Sequence, residues 1–419
     1  MTRLRPPSDP VTIELDGRRL AAGHGEPVAV ALVAEGYSAL ARSPKFHRPR
    51  GPACMRAACD GCLARVDGVP NVMTCRVPAA QGMRIETQNV VGSREVDLFR
   101  MADWFFPEGL NHHELFAGVP GVERVMQAFA RRVAGLGRLP AEVGDPRPHV
   151  ASRREIDVLV VGTGPAGMAA AIELATRGRR VEILEDDLNW GGNLRALPGE
   201  SGRPWERILD SFAAELRASH VTLRLRTTAA GIYDRDVLIA DANGVEVVTA
   251  RTLVLAPGAH DGVIAFEGND VPGVMSARAA CRLLGHGVEP GRRVVAVVTK
   301  DGGPFAEAFA QACPNATVLP GVPVRVQGAA RVKNVTVRAG AGERQLDCDA
   351  LLVDAPRAPA YELCTQAGAR LRHQPSGFTV RTGAGGMICA GVFAIGEVAG
   401  TPFEPGAVTS AAKALADCA

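Results

Sequence analysis

Ten cysteines are spread over the 419 residues. Four of them fall in one short stretch, Cys54-x4-Cys59-x2-Cys62-x12-Cys75. Four thiolates gathered by one loop and one returning segment make a soft, all-sulfur cage. The C-x4-C-x2-C intervals are those that hold a [2Fe–2S] cluster. Gly51, Gly61 and Gly68 give the backbone freedom to wrap tightly and turn N–H groups towards sulfur. Other chemistries compete for the same residues. Cys59-Asp60-Gly61-Cys62 alone is the spacing of a redox dithiol. A structural zinc would take four thiolates, but such sites usually pair two short C-x2–4-C units and only one occurs here. Disulfides are disfavoured in a chain read as intracellular. The spacing as a whole favours the cluster.

A second set of residues suits a different ligand. Asp157–Val161 is an apolar run that leads into Gly162-Thr163-Gly164-Pro165-Ala166-Gly167, then a helix expected over Met168–Thr176, then a strand Val181–Leu184 ending at Glu185 and Asp186. Strand, glycines, helix, strand and terminal carboxylate form one βαβ unit of the dinucleotide-binding kind. Gly162 permits the tight turn, Gly164 lets the backbone approach a pyrophosphate, and Gly167 lets helix and strand pack closely. The helix N-terminus then faces the phosphate charge. Glu185 is positioned to accept from ribose hydroxyls and would repel a 2′-phosphate, which argues against NADP.

The elements that must carry these residues follow from the patterning. Residues 11–20 alternate apolar and polar around Asp16-Gly17, a hairpin signal. A helix is expected over Pro27–Glu35. After the cysteine loop come Leu63–Val66, an Asp67-Gly68 turn and a short strand reaching Cys75. Hairpin, helix, metal loop and strand make a β-grasp domain of plant-type ferredoxin character, ending near 89–91. Residues 93–152 show no strand pattern; an amphipathic helix is expected over Val122–Leu136 and a Pro-rich linker over Pro140–Pro148. His112-His113, an adjacent pair, reads as surface or packing rather than ligation.

Further along, Trp190-Gly191-Gly192-Asn193-Leu194 follows the second strand, and Thr252–Leu255 ends in Ala256-Pro257-Gly258-Ala259. Gly391–Glu397 precedes a last helix over about Val408–Asp417. With this punctuation the chain resembles FAD proteins built from two dinucleotide-binding domains, the glutathione-reductase type. The resemblance implies that Gly192, Asn193, Leu194, Ala256, Pro257, Gly258, Gly396, Glu397, Ala407 and Val408 join the glycine loop around FAD, with Glu397 where an Asp is usual. The fold class expected is α/β, a β-grasp ferredoxin-like domain followed by this flavoprotein fold. Its domains are expected at 1–92, 93–152, 153–262, 263–351 and 352–419, the third and fifth forming one FAD domain.

The insert at 263–351 has a strand over Arg292–Val298, a helix over Phe305–Cys313 and a strand over Thr317–Leu319. Between strand and helix stands Thr299-Lys300-Asp301-Gly302-Gly303-Pro304 rather than GxGxxG. A retained fold with a lost or weakened NAD site is expected, with Asp301 placing negative charge where phosphates would sit. No redox Cys-x-x-Cys accompanies either βαβ unit, which counts against a disulfide reductase.

Over most of the chain, from about residue 11 to its end, the sequence is similar to the FAD-plus-cluster subunits of multimeric bacterial amine and amino-acid dehydrogenases. These include the alpha subunit of heterotetrameric sarcosine oxidase and the matching subunits of opine oxidase, hydrogen cyanide synthase and hydroxyproline or proline dehydrogenases. The stretches that carry the likeness are 42–52, 67–72, 131–137, 256–260 and 266–275. The resemblance implies a chain that moves electrons while a D-amino-acid-oxidase-like FAD beta subunit oxidises the amine. It also implies a further partner, a small extra cluster-bearing subunit. Many relatives continue past the last FAD helix into a cysteine-bearing or folate-type domain, a function expected here to be absent or on another polypeptide.

Composition bounds the rest. Hydrophobic residues make up 47% and charged residues 22%, with a net charge of +2. That balance gives no ground for nucleic-acid or membrane binding. No apolar leader follows the basic start and no stretch approaches a membrane span, so a cytoplasmic protein is expected. Cys281, Cys313, Cys348, Cys364, Cys389 and Cys418 lack ligand spacing and read as small hydrophobes or idle thiols. Lys45, Arg48, Arg50 and Arg56 near the cluster could stabilise its reduced state or be an ordinary solvated face. The alternative function is a self-sufficient flavin oxidoreductase acting on a small amine or NADH, for which His260 is the nearest titratable group. A non-catalytic, complex-organising flavoprotein is the third.

Overall fold

The computed structural model describes residues 2–7, 9–43, 46–90, 96–98, 121–122, 125, 151–374 and 377–419. Lys45, His112, His113, the 140–148 linker and most of the helix expected over 122–136 lie outside the described residues. The chain divides into two units. One takes Met1–Gly144, Ile264–Val298 and Cys313–Val353, the other Asp145–Val263, Thr299–Ala312 and Asp354–Ala419.

The first unit begins with the expected hairpin, β1 (Pro10–Leu15) and β2 (Arg18–Gly23). Asp16 and Gly17 both have positive φ, 47° and 84°. A two-residue turn of that hand matches the right-handed twist of its strands. Helix α1 (Val28–Ala34) buries Val28 through Val33, so it is sheathed on all sides. Strands β3 (Leu63–Val66) and β4 (Val69–Met73) are joined by Asp67-Gly68, again with positive φ at both positions. With β5 (Arg84–Glu86) they complete a five-stranded sheet in the order β2-β1-β5-β3-β4, the β-grasp arrangement. The strand expected to reach Cys75 does not do so. The strand stops at Met73, and Cys75 sits in a 3₁₀ turn, Thr74–Arg76. Thr74 makes that turn by donating from both its N–H (3.2 Å) and its Oγ1 (2.8 Å) to the Cys62 carbonyl.

The second unit is built on β6 (Ser152–Val161), α2 (Pro165–Thr176) and β7 (Val181–Leu184). Helix α2 starts three residues earlier than Met168, because Pro165 presets φ at the first helical position and loses no needed N–H there. Then follow α3 (Glu206–Arg217), β8 (Val221–Arg224), β9 (Thr228–Tyr233), β10 (Asp236–Asp241) and the long β11 (Gly244–Leu255). The inserted segments supply β12 (Val274–Ser276), α4 (Ala277–Gly285), β13 (Val294–Val298), α5 (Phe305–Ala312) and β14 (Thr317–Pro320). A three-stranded antiparallel sheet spans Val322–Gly328, Val332–Ala339 and Gly342–Asp347. Strand β15 (Ala350–Asp354) precedes β16 (Val392–Ala394) and the last helix α6 (Pro405–Cys418). In the first unit β12, β15, β13 and β14 form one sheet in that order.

The main sheet of the second unit runs β8-β7-β6-β11-β10-β9, with β16 along the C-terminal half of β11. The pairs β6–β7, β7–β8, β6–β11 and β11–β16 are parallel. Side chains alternate between its two faces, as the pleat requires. Val158 and Val160 join Ile183 and Val254 in a core with α2 and α6. Leu159 and Val161 join Leu184, Leu253 and Leu255 in the opposite core. Both faces being covered explains why these strands read as unbroken apolar runs.

Candidate functional site

In the first unit the cysteine loop brings its four thiols together in pairs. Cys54 Sγ lies 3.3 Å from Cys59 Sγ, and Cys62 is hydrogen-bonded to Cys75. The backbone serves them with N–H groups. Arg56 N–H and Ala58 N–H donate to Cys54 Sγ at 3.4 and 3.2 Å, and Ala57 N–H donates to Cys75 Sγ at 3.2 Å. Met55 and Ala57 adopt positive φ, 51° and 60°. Alternating hand along successive residues turns their N–H groups to one side, a concavity that receives negative charge. Non-glycine residues accept that conformation at a cost of about 1–3 kcal/mol each. Gly61 packs so closely that a Cβ there would stand 1.8 Å from the Gly51 carbonyl oxygen.

This arrangement fits a two-iron cluster better than a single ion. Each iron of a [2Fe–2S] group takes two thiolates, and two pairs are what the loop presents. Among the described residues no three or more His, Cys, Asp or Glu side chains are grouped to hold one metal ion. As bare thiols, each pair shares a proton unequally. The hydrogen bond from Cys54 pulls Cys59 down to about 6, while the same contact and burial push Cys54 up. The hydrogen bond to Cys75 lowers Cys62, and Cys75 is raised. The loop is braced from the same unit: Ser276 N–H donates to the Ala53 carbonyl at 2.9 Å and Arg282 Nη1 to the Met55 carbonyl at 3.4 Å. Arg50 pairs with Asp270 at 3.1 Å, and Arg48 lies over the Phe46 ring.

In the second unit the glycine loop is shaped by close backbone approaches. Gly162 has φ 100°, and a Cβ there would lie 2.4 Å from the Ala256 carbonyl oxygen. A Cβ on Gly167 would lie 1.9 Å from the Gly162 carbonyl oxygen. Gly164 differs: no protein atom comes within 4 Å of where its Cβ would be. It is the N-cap of α2 and offers no side chain to the first-turn N–H groups. Open space beside uncapped N–H groups at a helix start suits a phosphate. Thr163 ties the loop down, its carbonyl and Oγ1 accepting from Gly191 N–H at 3.1 and 3.2 Å. Pro165 and Ala166 enter the helix buried.

Glu185 closes β7 and is buried. One carboxylate oxygen accepts from Thr163 N–H at 3.0 Å and from the Thr163 hydroxyl, and the other accepts from Asp187 N–H at 3.0 Å. Burial raises its pKa, with the neighbouring Asp186 adding to the rise. The carboxylate thus links the loop to the end of β7, the edge at which the sequence places a ribose.

The late residues meet around Glu397. Gly396 has φ 87°, and a Cβ there would come within 2.8 Å of Ala166 Cβ. Asn193 Nδ2 donates to Glu397 Oε2 at 3.2 Å, and Arg357 Nε donates to Glu397 Oε1 at 2.6 Å. Gly258, at φ 74°, faces the same carboxylate. Gly192 backs onto Gly164, 2.8 Å from a Cβ to Gly164 Cα. Leu194, Ala256 and Val408 are buried in the adjoining core, with Pro257 beside Ala256 in the chain and Ala407 in the first turn of α6. So the structure brings together residues that stand as much as 246 apart in the sequence, Gly162 and Val408 being the ends of the set. Sequence reasoning misses Arg357. Its only sequence signal is a basic residue soon after a buried strand, which is too common to single out.

The second loop, 299–304, is filled from within. Asp354, at the end of β15, accepts from Gly303 N–H at 3.0 Å and from Ala306 N–H at 2.8 Å. The expected carboxylate, Asp301, is instead exposed, with φ 61°. Asp354 is 4% exposed, and burial raises its pKa against those backbone bonds. None of the ten cysteines is in a disulfide. Burial pushes Cys313, Cys348 and Cys364 up to about 12, so they are inert near neutrality. His260 forms a half-exposed pair with Glu362 at 3.0 Å.

Comparison with known proteins agrees with this geometry. A family described as 2Fe-2S iron-sulfur cluster binding domain matches residues 8–90. A family described as pyridine nucleotide-disulphide oxidoreductase matches residues 156–298. The chain is 31% identical over 322 residues to the alpha subunit of sarcosine oxidase from Rhizobium meliloti, covering 70% of this chain and 32% of that one. It is 26% identical over 329 residues to an opine oxidase subunit of Agrobacterium tumefaciens, covering 62% and 65%. The crystal structure of L-proline dehydrogenase from P. horikoshii superposes with a TM-score of 0.75 at 23% identity, over 99% of this chain and 74% of that one. The chain spans about a third of the length of the sarcosine oxidase alpha subunits it matches. It resembles the FAD- and [2Fe–2S]-containing subunits of multimeric amine oxidases and dehydrogenases in domain content and order. It is an oxidoreductase of α/β fold, a β-grasp ferredoxin-like domain followed by a glutathione-reductase-like flavoprotein fold, with FAD and a [2Fe–2S] cluster as its cofactors. Among the described residues no helix is long and apolar enough to cross a membrane.

Proposed function

We propose that this chain is the electron-relay subunit of a multimeric, cytoplasmic amine or amino-acid dehydrogenase. A single observation carries the reading: one polypeptide holds both a paired-thiol loop and a glycine loop with open space at Gly164. When bound, FAD supplies two-electron chemistry and the cluster one-electron transfer, which together join an amine's electron pair to a single-electron acceptor. Cys54, Cys59, Cys62 and Cys75 would hold iron. Gly162 to Gly167 would cradle the pyrophosphate, Glu185 and Asp186 would meet the ribose edge, and Gly192, Asn193, Leu194, Ala256, Pro257, Gly258, Gly396, Glu397, Ala407 and Val408 would surround the flavin arm. Domain limits of 1–92, 93–152, 153–262 with 352–419, and 263–351 go with this assignment.

The partner would be a D-amino-acid-oxidase-like FAD beta subunit that removes the electrons from substrate. A small extra cluster-bearing subunit would be a further member of the complex. The names of the relatives, sarcosine oxidase and opine oxidase, support an amine or amino acid as the substrate class. Asp354 on the start of α5 supports leaving NAD out. The test is to purify the chain from its native cell with the polypeptides that accompany it and add sarcosine, an opine or proline without oxygen. Flavin and cluster absorbance are both expected to bleach. Cofactors that stay oxidised under every amine, or turnover by this chain alone, would sink the relay.

A further inference from the structure

Glu397 takes the place where the flavoprotein resemblance leads one to expect an aspartate, so its carboxylate reaches one methylene further. What it reaches is Arg357, which donates from Nε at 2.6 Å; the two side chains are 14% and 16% exposed. The guanidinium is held by more than its charge. Its Cζ lies 5.2 Å from the centroid of the Phe305 ring and 5.4 Å from that of Phe403, two rings 6.3 Å apart. Phe403 in turn packs on Trp205 at 4.6 Å. Contacts to two neighbouring rings and a charge-assisted hydrogen bond restrain the arginine. Its Nη1 is buried with no hydrogen-bond partner among the described residues. A Cβ on Gly303 would stand 2.6 Å from that nitrogen, so the glycine there keeps the slot clear.

We propose that Arg357 is a positioning residue for the FAD site: seated against Phe305 and Phe403, it fixes the Glu397 carboxylate and cancels its charge. The long glutamate then stands beside a phosphate-bearing cofactor without adding net negative charge. Asn193 holds the other oxygen, at 3.2 Å, so the carboxylate is clamped from two elements. A fixed cation behind the carboxylate also offsets the negative charge that reduction adds to the flavin. Removing the cation therefore moves the flavin's midpoint potential in the negative direction. This inference rests on the reading of 162–167 and 396–397 as the FAD cradle.

The experiment compares Arg357→Gln, Arg357→Lys and the double variant Arg357→Gln/Glu397→Gln in the full chain. FAD affinity of the apoprotein and the midpoint potential of the bound flavin are the readouts. Arg357→Gln is expected to weaken FAD binding about tenfold or more, the size of a lost charged hydrogen bond, and to move the potential to more negative values. Lysine restores charge but not the planar guanidinium, and is expected to recover the potential more than the affinity. The double variant, neutral again, is expected to recover most of both. Wild-type potential and affinity in Arg357→Gln, or no recovery in the double variant, would overturn the proposal. If Arg357→Gln does not fold, Gly303→Ala presses on Nη1 instead and is expected to move both readouts the same way by less. No movement there would overturn it too. Wild-type apoprotein that takes up no FAD would instead remove the cradle reading beneath it.

Discussion

The loop at 162–167 and the loop at 299–304 each leave a strand and enter a helix, yet the N–H groups at the two helix starts face different things. At the first, Gly164 is the cap, no side chain answers the N–H groups, and no protein atom approaches the space beside it. At the second, the Asp354 carboxylate accepts from Gly303 and Ala306. A helix start is attractive to anions whatever supplies them. A protein can satisfy it with a ligand's phosphate or with its own carboxylate, and the second loop does the latter. Strand–loop–helix order is therefore a poor guide to nucleotide binding; who answers the N–H groups decides it.

The contrast can be broken in four ways. Gly167→Val would force a side chain against the Gly162 carbonyl, 1.9 Å from its Cβ. Loss of stability at or beyond the upper end of about 1–3 kcal/mol is expected, with FAD-free protein, as read by urea melts and visible absorbance. Gly164→Ala is the sharper test. Its φ of −62° suits alanine, so stability is expected to hold or rise by about 0.4–1 kcal/mol. FAD affinity is nevertheless expected to fall about ten- to hundredfold, or about 1.4–2.7 kcal/mol. Unchanged FAD binding would show that the space is not for phosphate.

Asp354→Ala leaves two helix-start N–H groups without their acceptor. A cost of about 1–2 kcal/mol is expected in denaturant melts, with flavin absorbance intact. The smallest effect is on pH. Burial raises Asp354, so the folded chain holds that proton more tightly than the unfolded one. The stability this brings is present below the ordinary aspartate value of about 3.9 and is lost as pH rises through the raised one. Wild type is thus expected to lose stability relative to Asp354→Asn as pH rises above about 4. A difference that stays flat would mean the backbone bonds fully offset the burial.

What could be read in advance followed distance along the chain. The cysteine spacing and the 162–167 loop are local patterns, and their chemistry depends on neighbours a few residues away. Apolar periodicity puts the start of α2 at Met168, three residues late, because it does not register that Pro165 sets the geometry. The pattern around Cys75 reads as a strand because nothing near it shows that Thr74 bends back to Cys62. Asp354 and Arg357 were invisible for a different reason. Each acts on a partner at least 40 residues off, Arg357 on Glu397 and Asp354 on Gly303, and only the folded sheet brings such pairs together. The negative charge expected at Asp301 was right in sign and wrong in place.

Strand β11 is shared between two duties. Its first half pairs with β10 from Gly244 to Thr249, and its last residues pair with β16 and run into Ala256. A rigid extended segment cannot slip at one end only. An extra residue in the exposed turn at 242–243 would therefore tend to advance Leu253, Val254 and Leu255 by one place and turn each towards the wrong core. Surface engineering of that distant hairpin would then be felt at Ala256-Pro257-Gly258, far from where the chain was cut.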